Sequence, residues 1–194
     1  MERLLIWRGL DEWRAEVAHV RIDDGRLTAT GTQLGVTPAA YRVDYSLRTG
    51  ADFVAERLEL SALHEGRLRR LLIERHPDGG WTADDRPLPE LEGALDFDVL
   101  NSPVFNSTPY LRHEMGAGGE ARDMAMAFVT VPDLAVKRSE QRYKPLGNAT
   151  VNYASGDFSA DIHFDSDGLV TLYEDYLEGV RPLNNVKGSD PLTI

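Results

Sequence analysis

The chain has no cysteine in its 194 residues, which excludes a thiol nucleophile and a cysteine-based zinc site. Positive charge is scarce: 21 lysines and arginines stand against 32 acidic residues, giving a formal net charge of -11 and a pI near 4.9. A nucleic-acid binder needs a basic face to neutralise phosphates, so that class is excluded. Electrostatic docking on an anionic leaflet and acidic partners are disfavoured for the same reason, and the charge reads as solubility. Long apolar runs are also missing. The first residues offer only Leu4 to Trp7, a run of four, too short for a signal-peptide core or a membrane span. No transmembrane segment is expected, and cytoplasmic residence is. The five histidines (His19, His64, His76, His113, His163) are scattered without His-x3-His spacing. No nucleophile elbow, phosphate loop or dinucleotide fingerprint occurs, so neither a metal nor a cofactor is expected.

What the chain does have is alternation. Tyr41, Val43, Tyr45 and Leu47 alternate with Arg42, Asp44, Ser46 and Arg48, and Phe158, Ala160, Ile162 and Phe164 alternate with Ser159, Asp161, His163 and Asp165. Period-two patterning gives strands with one buried and one wet face. Turn signals separate the runs at Asp23-Asp24-Gly25, Thr49-Gly50, His64-Glu65-Gly66, Asp78-Gly79-Gly80 and Asp167-Gly168, which indicates an antiparallel meander or barrel. One strand is apolar on both sides: Met124, Met126 and Phe128 point one way, Ala125, Ala127, Val129 and Val131 the other. It must be covered twice, by a second layer or by an apolar cavity. The pattern predicts one mainly β domain over residues 1–176 and a C-terminal tail, 177–194, poorly ordered or laid over the surface.

The stretch Gly93–His113 departs from the alternation. Pro103 and Pro109 lack backbone donors, and Asn101, Ser102, Asn106, Ser107 and Thr108 favour local turns. It cannot be a regular helix throughout, although a short one fits between Asn101 and Leu111 or near the C terminus. Asp96 and Asp98, two apart on a strand, would place carboxylates about 7 Å apart on one face, a separation suited to acid–base work. The same two residues could instead orient Arg112 or Arg142 through buried charge-assisted bonds and hold the connector down. Gln141-Arg142-Tyr143 is likewise either strand filler or a polar trio at a pocket mouth. Asp161, His163 and Asp165 share a strand face that reads as solvated, and Asp165-x-Asp167-Gly168 reads as a hairpin turn because position twelve of a calcium loop is Tyr176.

The order Asp96-x-Asp98-x3-Ser102-Pro103-x2-Asn106-Ser107-x-Pro109-x2-Arg112 resembles the central signature of the putative glycolipid-binding proteins of bacteria. Trp7-x-Gly9 with Glu16, Gln141-Arg142-Tyr143, Phe158-Ser159-Ala160-Asp161 and Asp165-Ser166-Asp167-Gly168-Leu169-Val170-x2-Tyr173 extend the likeness over roughly residues 5 to 176. It departs at Val104 and Phe105, where the family has Phe-Thr, and at Leu111, where it has the first of two arginines. The resemblance implies a fold similar to the lipoprotein carriers, an open, strongly curved antiparallel sheet around an apolar cavity. It also implies non-catalytic binding of an amphipathic small molecule, a lipid or glycolipid. Its polar head would lie near Asp96, Asp98, Asn106, Arg112, Gln141, Arg142 and Tyr143. Candidate lining residues are Trp7, Tyr45, Met124, Met126, Phe128 and Tyr153. Two alternatives stay open: a cofactor-independent enzyme with Asp96 or Asp98 as general base, and an interaction module whose concave face takes a partner's peptide or strand.

Overall fold

A computed structural model of the chain describes residues 1–180. The N-terminal half is a meander of β1 (Glu2–Gly9), β2 (Arg14–Asp23), β3 (Arg26–Gly35), β4 (Tyr41–Thr49), β5 (Ala55–His64), β6 (Arg67–Arg75), β7 (Trp81–Ala83) and β8 (Arg86–Pro87). The second half opens with β9 (Asp96–Val99), the helix α1 (Val104–Arg112) and β10 (Arg122–Val129). It continues through β11 (Val136–Gly147), β12 (Thr150–Ser155), β13 (Phe158–Phe164), β14 (Val170–Tyr173) and β15 (Leu177–Gly179). All fifteen strands among the described residues join one sheet in the order β8-β7-β6-β5-β4-β3-β2-β1-β15-β14-β13-β12-β11-β10-β9. Pairing is antiparallel except between β9 and β10. The chain is therefore mainly β, a single curved sheet that does not close into a barrel.

Local chemistry explains the hairpins. Asp24-Gly25, Glu65-Gly66, Asp84-Asp85 and Asn148-Ala149 each place both central residues at positive φ, the two-residue turn whose twist matches that of the flanking strands. The alternation of β4 is realised, with Tyr41, Val43, Tyr45, Leu47 and Thr49 all buried. On β10, register places Met126 beside Asp96 and Phe128 beside Asp98. The opposite face carries Ala127 and Val129 next to Phe97 and Val99, and Trp81 stands edge-on to Phe97 with centroids 5.2 Å apart. Both faces of this strand are covered, as its sequence requires.

The two halves meet at a narrow seam. β15, three residues long, lies between β1 and β14. The first residues of the expected tail thus belong to the interior of the sheet, Leu177–Gly179 as β15 and Val180 through the hydrogen bond from its amide to the Ile6 carbonyl, while 181–194 lie outside the described residues. At the far end the sheet curls back on itself: the Ala55 amide donates to the Leu95 carbonyl across 2.8 Å.

The short helix allowed between Asn101 and Leu111 is present as Val104–Arg112, and it contains Pro109. Pro109 has no N–H for the Phe105 carbonyl, and the Thr108 hydroxyl donates to that carbonyl instead, at 3.1 Å. The helix is buried from Val104 through Tyr110. Enclosed on all sides, it carries no apolar stripe by which the sequence could announce it.

Candidate ligand-binding site

The site is built around the connector from Leu100 to Pro103, which crosses the concave side between β9 and α1. Two strand glycines permit this. A Cβ on Gly31 would lie 2.4 Å from the Tyr45 ring, and one on Gly35 would lie 2.5 Å from the Tyr41 ring. Each tyrosine thus folds over the bare neighbouring strand. Tyr45 reaches β2, where its hydroxyl donates to Glu16 Oε1 at 2.6 Å. Ser102 donates to the same oxygen at 2.8 Å. Asn101 donates to the Tyr41 hydroxyl at 3.3 Å and accepts from the Tyr176 hydroxyl. Gln33 holds the Leu100 carbonyl at 2.9 Å. Residues from both halves of the sheet therefore fix one short loop. Burial raises the Glu16 carboxyl to about 8 against the two hydroxyl donors, and Glu16 Oε2 has no partner among the described residues.

The two aspartates of β9 have different surroundings. Asp96 takes two bonds from the Arg112 guanidinium, one of 2.6 Å from Nη1 and a second from Nη2. Thr108 adds a 3.3 Å contact. Asp96 and Arg112 are 1% and 8% exposed at the side chain, so this fork ties α1 to β9 in the interior. Burial raises the Asp96 carboxyl and Arg112 opposes the rise. Asp98 instead accepts 2.6 Å from Gln141 Nε2 and has no cationic partner among the described residues. Burial raises it to about 6.

Asp98 lines a half-open cavity of about 270 Å³ beneath the seam. Its aromatic wall is Phe128, Tyr153, Phe158, Tyr173 and Tyr176. Asn101, Ser102, Asn106 and Ser155 supply further polar groups, and Leu177 of β15 closes one side. The rings brace one another: Tyr153–Tyr173, Phe158–Tyr173, Phe158–Tyr176 and Tyr173–Tyr176 centroids are 5.8, 6.0, 5.3 and 5.3 Å apart. Phe158, which alternation assigns to a buried face, is 40% exposed. Burial raises the phenols of Tyr153, Tyr173 and Tyr176, so all three stay neutral hydrogen-bonding groups at physiological pH.

Of the residues expected around a polar head, Asp98 and Asn106 line this cavity. Gln141 and Tyr143 stand directly behind them, Asn106 donating 2.8 Å to the Tyr143 hydroxyl. Asp96 and Arg112 are spent on each other. Arg142 is on the other face of β11, paired with Asp123 at 2.8 Å in solvent, because residues adjacent to Gln141 and Tyr143 on a strand must point away from them. Among the candidate lining residues, Phe128 and Tyr153 line the cavity. Trp7, Tyr45 and Met126 are packed in the core and Met124 lies against it. The Trp7 indole donates 2.8 Å to the Val170 carbonyl. Sequence reasoning did not single out Phe158, Tyr173, Tyr176, Asn101, Ser102 or Ser155 for the site. Their signal, aromatic residues recurring late in the chain, becomes a wall only once the β12–β15 register is known.

A curved, unclosed sheet with a helix in its concavity and a tyrosine-walled cavity beside that helix defines the class to which the chain is assigned. Residues 4–179 match the family described as "Putative glycolipid-binding", and the chain belongs to that family. The crystal structure of a DUF1089 family protein from Pseudomonas aeruginosa is similar, with a TM-score of 0.70 and 25% identity over 81% of this chain and 88% of that one. Comparison with the curated proteins gives no match. Among the described residues, no helix is long and apolar enough to cross a membrane.

Proposed function

We propose that the protein binds, without transforming it, the head of an amphipathic small molecule in the cavity beneath the seam. The observation that carries this reading is the lining: five aromatic side chains around a few directed polar groups, Asp98, Asn101, Asn106 and Ser155 among them. A concave apolar site with a small number of placed polar groups is the usual architecture of small-molecule recognition. Volume limits what enters. A cavity of about 150 Å³ holds benzene, so about 270 Å³ admits a head group of one or two rings, and an acyl chain must leave through the open side. Family membership supports a lipid-like ligand. α1 already occupies the concave face that a partner's peptide or strand would need.

One observation favours a second reading, catalysis by Asp98. Its carboxyl, raised to about 6, is near the range suited to a general base. Native mass spectrometry of gently purified protein, followed by analysis of the organic extract, tests the binding reading. A co-purifying amphipath released by denaturation is the expected result. If nothing co-purifies and alkyl probes fail to bind, that reading falls. An incubated ligand recovered in altered form, with Asp98→Asn abolishing the change, would favour the enzyme.

A further inference from the structure

The cavity is chemically one-sided. Asp98 faces it, and no lysine, arginine or histidine is among its lining residues. The nearby guanidinium of Arg112 is committed to Asp96 through both terminal nitrogens. Among the described residues, Asp98 has only the neutral amide of Gln141 as side-chain donor, although a buried carboxylate without a cation is costly. Tyr153, Phe158, Tyr173 and Tyr176 line the same cavity, set edge-on and tilted to one another. Aromatic side chains grouped around a carboxylate form the arrangement that recognises alkylammonium groups, through ring quadrupoles and charge together. Two of the wall rings already meet a cation of the protein. The Arg14 guanidinium sits 3.9 Å from the Tyr176 centroid and the Lys137 ammonium 5.2 Å from that of Phe128. Neither leaves Asp98 neutralised: Arg14 is paired with Asp11 and Glu12, and Lys137 is exposed to solvent.

We infer that the head group this cavity takes is an organic cation, a protonated amine or quaternary ammonium, ion-paired to Asp98 within the tyrosine and phenylalanine wall. The inference rests on the binding reading above and narrows it, since a neutral sugar would leave the Asp98 charge uncompensated and an anionic head would oppose it.

Three probes of equal chain length separate the possibilities: decyltrimethylammonium, decyl glucoside and decyl sulfate, each titrated calorimetrically below its micellar concentration. The ammonium probe is expected to bind roughly ten-fold or more tightly than the glucoside, with the sulfate weakest. Because any acidic protein attracts cations, the decisive variant is Asp98→Asn, which should remove the preference for the ammonium probe over the glucoside. Phe158→Leu, at a position 40% exposed and with its melting midpoint compared with the wild type, should weaken the ammonium probe about three-fold. Glucoside or sulfate binding as tight as the ammonium overturns the cationic assignment and leaves the amphipath reading standing. Ammonium affinity unchanged in both variants also overturns it. If none of the three binds, both readings fall together.

Discussion

At the scale of single residues, the interior carries two kinds of buried carboxyl with opposite consequences. Asp96 is held by a fork from Arg112, and removing the cation leaves an uncompensated charge. Arg112→Leu should therefore cost about 3–5 kcal/mol in chemical denaturation. A loss below about 1 kcal/mol would mean that the pair contributes little to holding α1. Among the described residues Glu16 has no cationic partner, and it is raised from 4.5 to about 8. Between those values the folded state keeps a proton that the unfolded chain releases, so stability falls as pH rises through this window and the full cost is present above pH 8. Asp98, raised from 3.8 to about 6, adds a smaller loss of the same sign at lower pH. Glu16→Gln mimics the protonated form. Thermal melts should find it more stable than the wild type at pH 8.5, by a few kcal/mol, and similar at pH 4.5. Equal melting at both pH values would show that Glu16 ionises freely. The sequence suggested the Asp96–Arg112 pair because the two lie 16 residues apart in one motif. It could not suggest Glu16–Ser102, which are 86 apart and meet only where the connector crosses the folded sheet.

At the scale of elements, strands were legible outright, and the helix only as a short segment permitted between Asn101 and Leu111. Alternation and Gly-bearing turns marked β2 to β6 and β13, since each such strand has one wet face. α1 has none. Its polar side chains are buried, Asn106 bonded to Tyr143 and Thr108 to Phe105 while the Ser107 hydroxyl has no partner among the described residues, and one proline interrupts its ladder. Thr108 supplies what Pro109 removes, so Thr108→Val, nearly the same shape, removes that hydroxyl together with its longer contact to Asp96. A destabilisation of about 1–2 kcal/mol is expected, with helix signal in far-UV dichroism retained. An unchanged midpoint would indicate that the Phe105 carbonyl does not need the hydroxyl. The cavity wall escaped the sequence for a related reason. Tyr153, Tyr173 and Tyr176 look like ordinary strand aromatics until the hairpins β12–β13 and β13–β14 are laid side by side.

At the scale of the whole molecule, one three-residue strand joins two meanders. β15 pairs with β1 through Trp7–Gly179, Arg8–Glu178 and Gly9–Leu177, and with β14 through Leu172–Glu178 and Tyr173–Leu177. Side chains reinforce the seam. Arg8 donates 2.7 Å to Glu178, Arg3 pairs with Asp167 at 2.8 Å, and Trp7 holds the Val170 carbonyl. Arg14 reaches the Tyr176 carbonyl at 2.9 Å. Because Leu177 also lines the cavity, the joint and the site are the same place. Proline at Glu178 cannot donate to the ladder and has no bulge to absorb it. Glu178→Pro should speed amide exchange in β1 and β14 and at the Trp7 indole, while β3 to β5, paired across nearly their full lengths, keep their protection. Probe binding should weaken along with the seam, because the cavity loses its side wall. Slow exchange preserved at Trp7 would mean that side-chain contacts alone hold the halves together, and that β15 merely fills the gap between them.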